Sequence, residues 1–241
     1  MRRSHAVLLT LTLTVVVTAG CRQVDLAVPR QDLAIELLMS GDARDTSDNG
    51  HHGKIEGATP ATDRFGREGM ALHFDGDDWI LVSPPPALSD QAITVSLWAR
   101  YDSSEFRWWN NCMLAQDNGS DDGDRRIIQL STHWRSIDWH RMGEAEDANS
   151  PVIIEPDVWY HIAATYDGHN HRLYVDGLLH DTRSGSLRQH SEEPLFVGRK
   201  GSDETDFTFR GVLDDVRIYN RALSGEEIAR LYQETIATGE D

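Results

Sequence analysis

The sequence predicts an all-β fold, a two-sheet sandwich or jelly roll, on three observations. Short stretches of alternating apolar and polar residues recur from Leu33 onward, turn residues separate them, and helical periodicity is confined to the far end of the chain.

The strands are read in order. LAIELLM (33–39), MALHF (70–74) and WILVS (79–83) come first. In AITVSLWARY (92–101), Ile93, Val95, Leu97, Ala99 and Tyr101 alternate with Thr94, Ser96, Trp98 and Arg100, which predicts a strand packed on one side. RIIQLS (126–131), VWYHIAATY (158–166), HRLYVDG (171–177), PLFVGR (194–199) and GVLDDVRIY (211–219) continue the series. Asp176-Gly177 and the stretch Asp167 to Asn170 read as hairpin turns, because these residue types tolerate positive φ. The polar, acidic, glycine-containing stretches 102–125 and 140–150 predict surface loops. One short C-terminal helix is expected: Ser224 and Glu227 form a capping box, and Ile228, Leu231 and Tyr232 make a stripe that would pack on an edge or end of the sandwich.

The strand 211–219 poses a problem. Strict alternation places Val212, Asp214, Val216 and Ile218 on one face, and Leu213, Asp215, Arg217 and Tyr219 on the other. Asp215 then has a cation on its own face. Asp214 sits among apolar neighbours, where an unpaired carboxylate is expensive to bury. It requires a cation, a set of backbone N–H groups, or a local twist that carries it out to water.

The amino terminus predicts export. Arg2 and Arg3 precede an uncharged apolar run, Ala6 to Val17, and the small residues Thr18-Ala19-Gly20. The run is too short to span a bilayer, which needs about 20 residues, and has the layout of a signal peptide over 1–20. TAGC resembles a lipobox, which would make Cys21 the lipidated first residue of the mature protein; cleavage after Ala19 is the alternative, giving a soluble secreted product. Residues 21–32 read as a tether, 33–236 as one domain and 237–241 as a tail. The expected location is the cell envelope, with membrane contact through the lipid alone.

Losing residues 1–20 removes two arginines and no acid, so the formal charge goes from −17 to −19. Such a chain is repelled by nucleic acid and anionic lipid and attracts divalent cations. Cys21 and Cys112 are the only cysteines, and no C-x-x-C or His/Cys cluster suggests zinc.

Five segments occur in order: DTSDNGHHGKIEGA, DRFGREGMALHFDGDDWILV, ITVSLWARY, WYHIAATYDGHNHRLYVDG and FRGVLDDVRIYNRALSGEEIARLY. Together they resemble the laminin-G-like, concanavalin A-like lectin/glucanase domain of bacterial exported proteins. The resemblance implies an antiparallel two-sheet jelly-roll sandwich. It also implies a calcium ion where first and last strands meet, held by Asp45, Asp214 and the turn at Asp75 and Gly76. Such a mixture of carboxylates and carbonyls suits calcium. Asp48 departs from the family pattern, which commonly has glycine there. The acidic stretch DNGSDDGD (117–124) is no EF-hand, because Gln129 stands where a glutamate is needed.

The fold hosts enzymes and binding modules alike. Laminarinase-type enzymes carry E-x-D-x-E or E-x-D-x-x-E on one strand, which sets two carboxyls about 5 Å apart. The nearest strings are EAEDANS (144–150), where Asp147 breaks the parity of Glu144 and Glu146, and EPDVW (155–159), where Pro156 interrupts the strand. Neither is a catalytic strand. Trp134 and Trp139 flank a turn-like stretch, and with Trp108 and Trp109 they are the candidates for a sugar-stacking platform. Core packing is the competing role for large aromatics. The expected function is a non-catalytic, envelope-anchored module that binds glycan or an extracellular protein. The alternatives are a laminarinase-type glycoside hydrolase and a purely structural envelope lipoprotein.

Overall fold

The computed structural model describes residues 27–89, 91–102, 111–116, 128–133, 136–140, 147–186, 193–201 and 207–234. In chain order the strands are β1 (Leu33–Leu37), β2 (Gly53–Glu56), β3 (Thr59–Ala61), β4 (Ala71–Asp75), β5 (Trp79–Val82), β6 (Ile93–Tyr101), β7 (Leu114–Gln116) and β8 (Ile128–His133). They continue with β9 (Ser136–His140), β10 (Ala148–Asn149), β11 (Trp159–Tyr166), β12 (Asn170–Val175), β13 (Leu178–Ser184), β14 (Leu195–Val197) and β15 (Arg210–Tyr219), and one helix follows, α1 (Gly225–Gln233).

The strands form two antiparallel sheets. One runs β13-β12-β11-β6-β15-β4-β3, with β1 also bonded to β15; the other runs β10-β9-β8-β7-β14-β5-β2. Between them lies a core built from the alternating residues of β6 (Ile93, Val95, Leu97, Ala99, Tyr101) and their counterparts Ile80, Val82, Leu114, Leu130 and Val197 on the second sheet. The two hairpins form as expected: Asp176 and Gly177 have φ of +49° and +76°, and Gly168 has φ of +92°.

β15 is the inner strand of the first sheet. One edge pairs with β6. The other is shared, Arg210 to Leu213 bonding β4 and Val216 to Tyr219 bonding β1. At the changeover its register against β6 shifts between Asp214 and Arg217, and Asp215 adopts φ +48°. This bulge overturns strict alternation. Leu213, Val216 and Ile218 all reach the core, whereas Asp214 pairs with Trp98 and Arg217 with Ser96, residues of the outer face. An extra residue in one strand flips the side-chain sequence beyond it, and aspartate tolerates the left-handed conformation the bulge needs.

The helix starts where the capping box places it, with Ser224 as N-cap and both reciprocal hydrogen bonds to Glu227 made. It packs on the outer face of the first sheet, not on an edge or end of the sandwich. Ile228 and Leu231 meet Ala163, Tyr174 and Tyr219, and Tyr232 stacks on Trp98 with ring centroids 5.7 Å apart. The outer face of β6 is therefore buried as well: Thr94, Ser96 and Trp98 are all nearly inaccessible. The stretch read as a tether is tied down from Ala27 onward. Val28 packs under the helix, Arg30 pairs with Glu36 at 2.6 Å, and the Gln31 carbonyl accepts from Arg221.

Two short strands, β7 and β10, lie in stretches read as surface loops, and Ala148 of β10 reaches the core. Trp139 is likewise not at a turn. It stands in mid-β9, fully buried, and its indole N–H donates to Nδ1 of His171 across the core at 3.0 Å. It cannot be a stacking platform. Trp139→Ala should cost about 3–5 kcal/mol of stability, read by urea unfolding. A loss under about 1 kcal/mol, the scale of a surface change, would contradict this placement.

Candidate functional site

The chemistry of the outer face centres on Arg64, in the loop between β3 and β4. Asp63 shapes that loop by accepting the backbone N–H groups of Phe65 and Arg67 and the Arg67 side chain. Arg64 is thereby directed at the bulge. Its guanidinium bonds Asp214 at 2.5 Å and Asp215 at 2.6 Å, and lies 4.9 Å from the Trp98 ring centroid. Arg217 continues the network, donating to Glu36 at 2.8 Å and lying 3.3 Å from the Glu234 carboxylate as an ion pair. The cation that Asp214 required is thus a side chain of the chain itself.

A pocket of about 250 Å³ opens over this network, lined by Arg64, Arg67, Asp214, Asp215, Arg217 and Glu234 among others. Each carboxylate facing it is held by an arginine, an arrangement that fixes the loop and the helix end to the sheet. Burial, then the neighbouring Asp215 charge, pushes the Asp214 carboxyl up to about 7 against the pull of Arg64. His161, bonded to Ser96, is driven down to about 3 by burial, with Arg217 and Arg64 adding to it.

The expected calcium ligands are not brought together. The Asp45 carboxylate accepts the backbone N–H groups of Glu36, Ser47 and His51. Those bonds hold it below the usual carboxylate range despite burial. Asp214 belongs to Arg64. Asp75 is paired across the ladder with Arg210, four residues before Asp214 on β15. At about 3.3 Å per residue that is about 13 Å, too far for one ion. Asp48 has φ +75°, the conformation a glycine would supply there.

Asp75 instead has closer company. Asp75, Asp77 and Asp78 lie in the turn from β4 to β5, their ligand atoms within 4.8 Å of one another, a group that could hold a metal ion. Gly76 turns the backbone at φ +106° against the Arg210 side chain, which a Cβ would strike. Asp77 is raised by its hydrogen bond to Asp75 and then by the Asp75 charge, Asp78 first by burial. The donor set is all oxygen and fits a hard divalent cation. The signal was legible as D-G-D-D in the sequence, but parity drew attention to the distant Asp214.

Trp108, Trp109, Trp134 and Cys21 lie outside the described residues. The sequence reading missed β9, where Ser136, Asp138 and His140 alternate on the face opposite Ile137 and Trp139. Asp147 reaches His140 Nδ1 at 2.7 Å. S-x-D-x-H within an alternating segment was the available signal.

Two results test the arginine network. Arg64→Ala strands two buried carboxylates and should cost about 3–5 kcal/mol. The second concerns pH. With Asp214 raised, the folded state binds the proton more tightly than the unfolded state, so its contribution is complete below about 4 and is lost as pH rises toward 7. Asp214→Asn, which cannot ionise, should therefore gain stability relative to the parent between pH 5 and 7. A difference independent of pH would show that Asp214 ionises normally.

No curated protein sequence matches the chain. Among solved structures, it is similar to domain 4 of AbnA, a GH43 extracellular arabinanase from Geobacillus stearothermophilus, in complex with arabinotriose. That match has 19% identity and a TM-score of 0.65, over 84% of this chain and 98% of that one. It is also similar to the binding domain of Paraclostridial Mosquitocidal Protein 1, with 18% identity and a TM-score of 0.66, over 86% of this chain and 53% of that one. A Trypanosoma rangeli sialidase mutant displaying trans-sialidase activity matches at 20% identity and a TM-score of 0.66, over 89% of this chain and 35% of that one. The fold is shared by enzymes and binding domains alike. The family model of the concanavalin A-like lectin/glucanases superfamily matches residues 74–229, and the chain belongs to that superfamily.

Proposed function

We propose that this chain is a non-catalytic, exported binding module that recognises a glycan, held at the cell envelope by lipid on Cys21. The observation that carries the reading is the match over 98% of a domain solved with arabinotriose, a whole-domain likeness to a sugar-bound unit. The state of the carboxylates supports it. Glu36, Asp214 and Asp215 are held by arginines, and Asp45 by backbone N–H groups. Such groups are engaged by the chain's own arginines and amides. An extracellular protein is the second reading, favoured by the likeness to the binding domain of botulinum neurotoxin DC in complex with rat synaptotagmin II, at 13% identity and a TM-score of 0.62.

Binding to an array of neutral and acidic glycans, with parallel hydrolysis assays on β-glucans, tests this function. Binding without turnover is expected. Hydrolysis abolished by changing Glu144 or Glu146 would replace it with the laminarinase reading. Intact mass of membrane-extracted protein tests the anchor: a lipid-modified Cys21 is expected, and a soluble product starting at Gly20 would exclude it.

The proposed ion is calcium, in the Asp75–Asp77–Asp78 turn and not at Asp45 and Asp214. Extracellular calcium modules bind at about 10⁻⁴ to 10⁻³ M. Millimolar calcium should raise the melting temperature relative to chelator, and Asp77→Asn should remove that rise, while Asp45→Asn should leave it. No response in the parent protein would remove the site.

A further inference from the structure

The pocket over the Arg64 network has a floor and a rim of different kinds. At the floor, Arg64, Asp214 and Arg217 are nearly inaccessible and are spent on ion pairs within the chain. The rim is open and has bonding capacity to spare. Arg67 keeps 53% of its side chain exposed, and of its guanidinium only Nε is bonded, to Asp63 at 2.7 Å. Glu234 keeps 24% of its side chain open, and only its Oε2 is enclosed, beside Arg217. Ser40 is exposed, and its hydroxyl has no partner among the described residues. Met70, 40% exposed, lines the same opening with Leu38 and Phe65.

Arg67 is held in place before any ligand arrives. Its bond to Asp63, and the Phe65 ring with its centroid 4.8 Å from the guanidinium carbon, fix a side chain that would otherwise lose rotamer freedom on binding. Its terminal N–H groups only donate, and a carboxyl oxygen such as the open one of Glu234 accepts whether or not the group carries a proton. A hydroxyl answers both needs. Leu38 and Met70 supply apolar surface beside them. Three arginines and three carboxylates line the pocket, so its formal charge cancels and neither an anion nor a cation gains a net attraction there. Its volume of about 250 Å³ lies just below that of drug-sized sites, about 300–1,000 Å³, which leaves room for one small ring. A neutral ring with several hydroxyls and one apolar face meets each of these conditions.

We propose that this pocket is a subsite for one residue of a neutral saccharide, an inference that rests on the glycan-binding function proposed above. Arg67 donates to its hydroxyl groups, Glu234 and Ser40 bond others, and Met70 and Leu38 meet its apolar face.

The test titrates the full chain, labelled with ¹³C at the methionine methyl groups, with arabinotriose and other neutral oligosaccharides, and with 3′-sialyllactose as the anionic comparison. A neutral saccharide should move the Met70 methyl resonance, assigned by its disappearance in Met70→Leu, while those of Met39 and Met113, buried in the core, stay in place. It should bind more tightly than sialyllactose. By calorimetry, Arg67→Ala and Glu234→Ala should each weaken binding by about tenfold or more, the scale of one lost hydrogen bond to a charged group. Glu234→Gln, which keeps the accepting oxygen, should bind within about threefold of the parent. The resonance is read on the unaltered protein, so a variant that fails to fold leaves the test intact. Saccharide binding with an unmoved Met70 resonance and unchanged affinity in both alanine variants would overturn the subsite and leave glycan recognition standing. Preference for sialyllactose would overturn the subsite too. Failure of every saccharide on the array and in titration would remove both.

Discussion

The ion pair between Arg64 and the two aspartates of β15 holds the outer face of this molecule together. β15 is the strand on which the first sheet turns, and at its midpoint its neighbour changes from β4 to β1. A ladder interrupted on one edge leaves room for an irregularity, and the bulge at Asp214 and Asp215 fills it. The bulge points both carboxylates outward, where they would be costly without a cation. Arg64 arrives from a loop shaped by Asp63, satisfies both, and is packed against Trp98, on whose ring Tyr232 of the helix stacks. Loop, sheet and helix therefore meet at one guanidinium.

Much of the fold was legible because it rests on local rules. The alternation of β6, the turn at Asp176-Gly177 and the capping box at Ser224 each follow from a few adjacent residues, and each forms as read. What escaped was decided by neighbours distant in sequence. A period of two cannot announce the residue at which it slips, so parity alone places Asp214 among the apolar residues of its strand. Trp139 looked exposed because its surroundings are polar, yet its own strand faces inward and His171, on another sheet, takes its N–H. β7 and β10 span only three and two residues, too short for any periodicity to register.

The candidate sites divide along the same line. The acidic turn at Asp75 was visible as a string of carboxylates, whereas its separation from Asp214 became measurable only through the register of β4 on β15. The β9 face depends on a histidine and an aspartate seven residues apart, brought together by the pairing of β9 with β10. Each site is a small departure from a framework common to lectins and glucanases, which is why the family match defines architecture more sharply than activity.

The position of β15 also sets the order in which the chain can fold. Its partners β1, β4 and β6 lie far earlier in the sequence, so the first sheet has a gap at its centre until residues 210–219 exist. A chain emerging amino end first therefore cannot complete its main sheet until β15 has been made, because these pairings are all long-range. Until then the edges of β4 and β6 are open to other strands, a state prone to aggregation. It is also a state with little tertiary structure to undo. The same late strand that exposes the nascent chain to misassociation also keeps its main sheet from closing early.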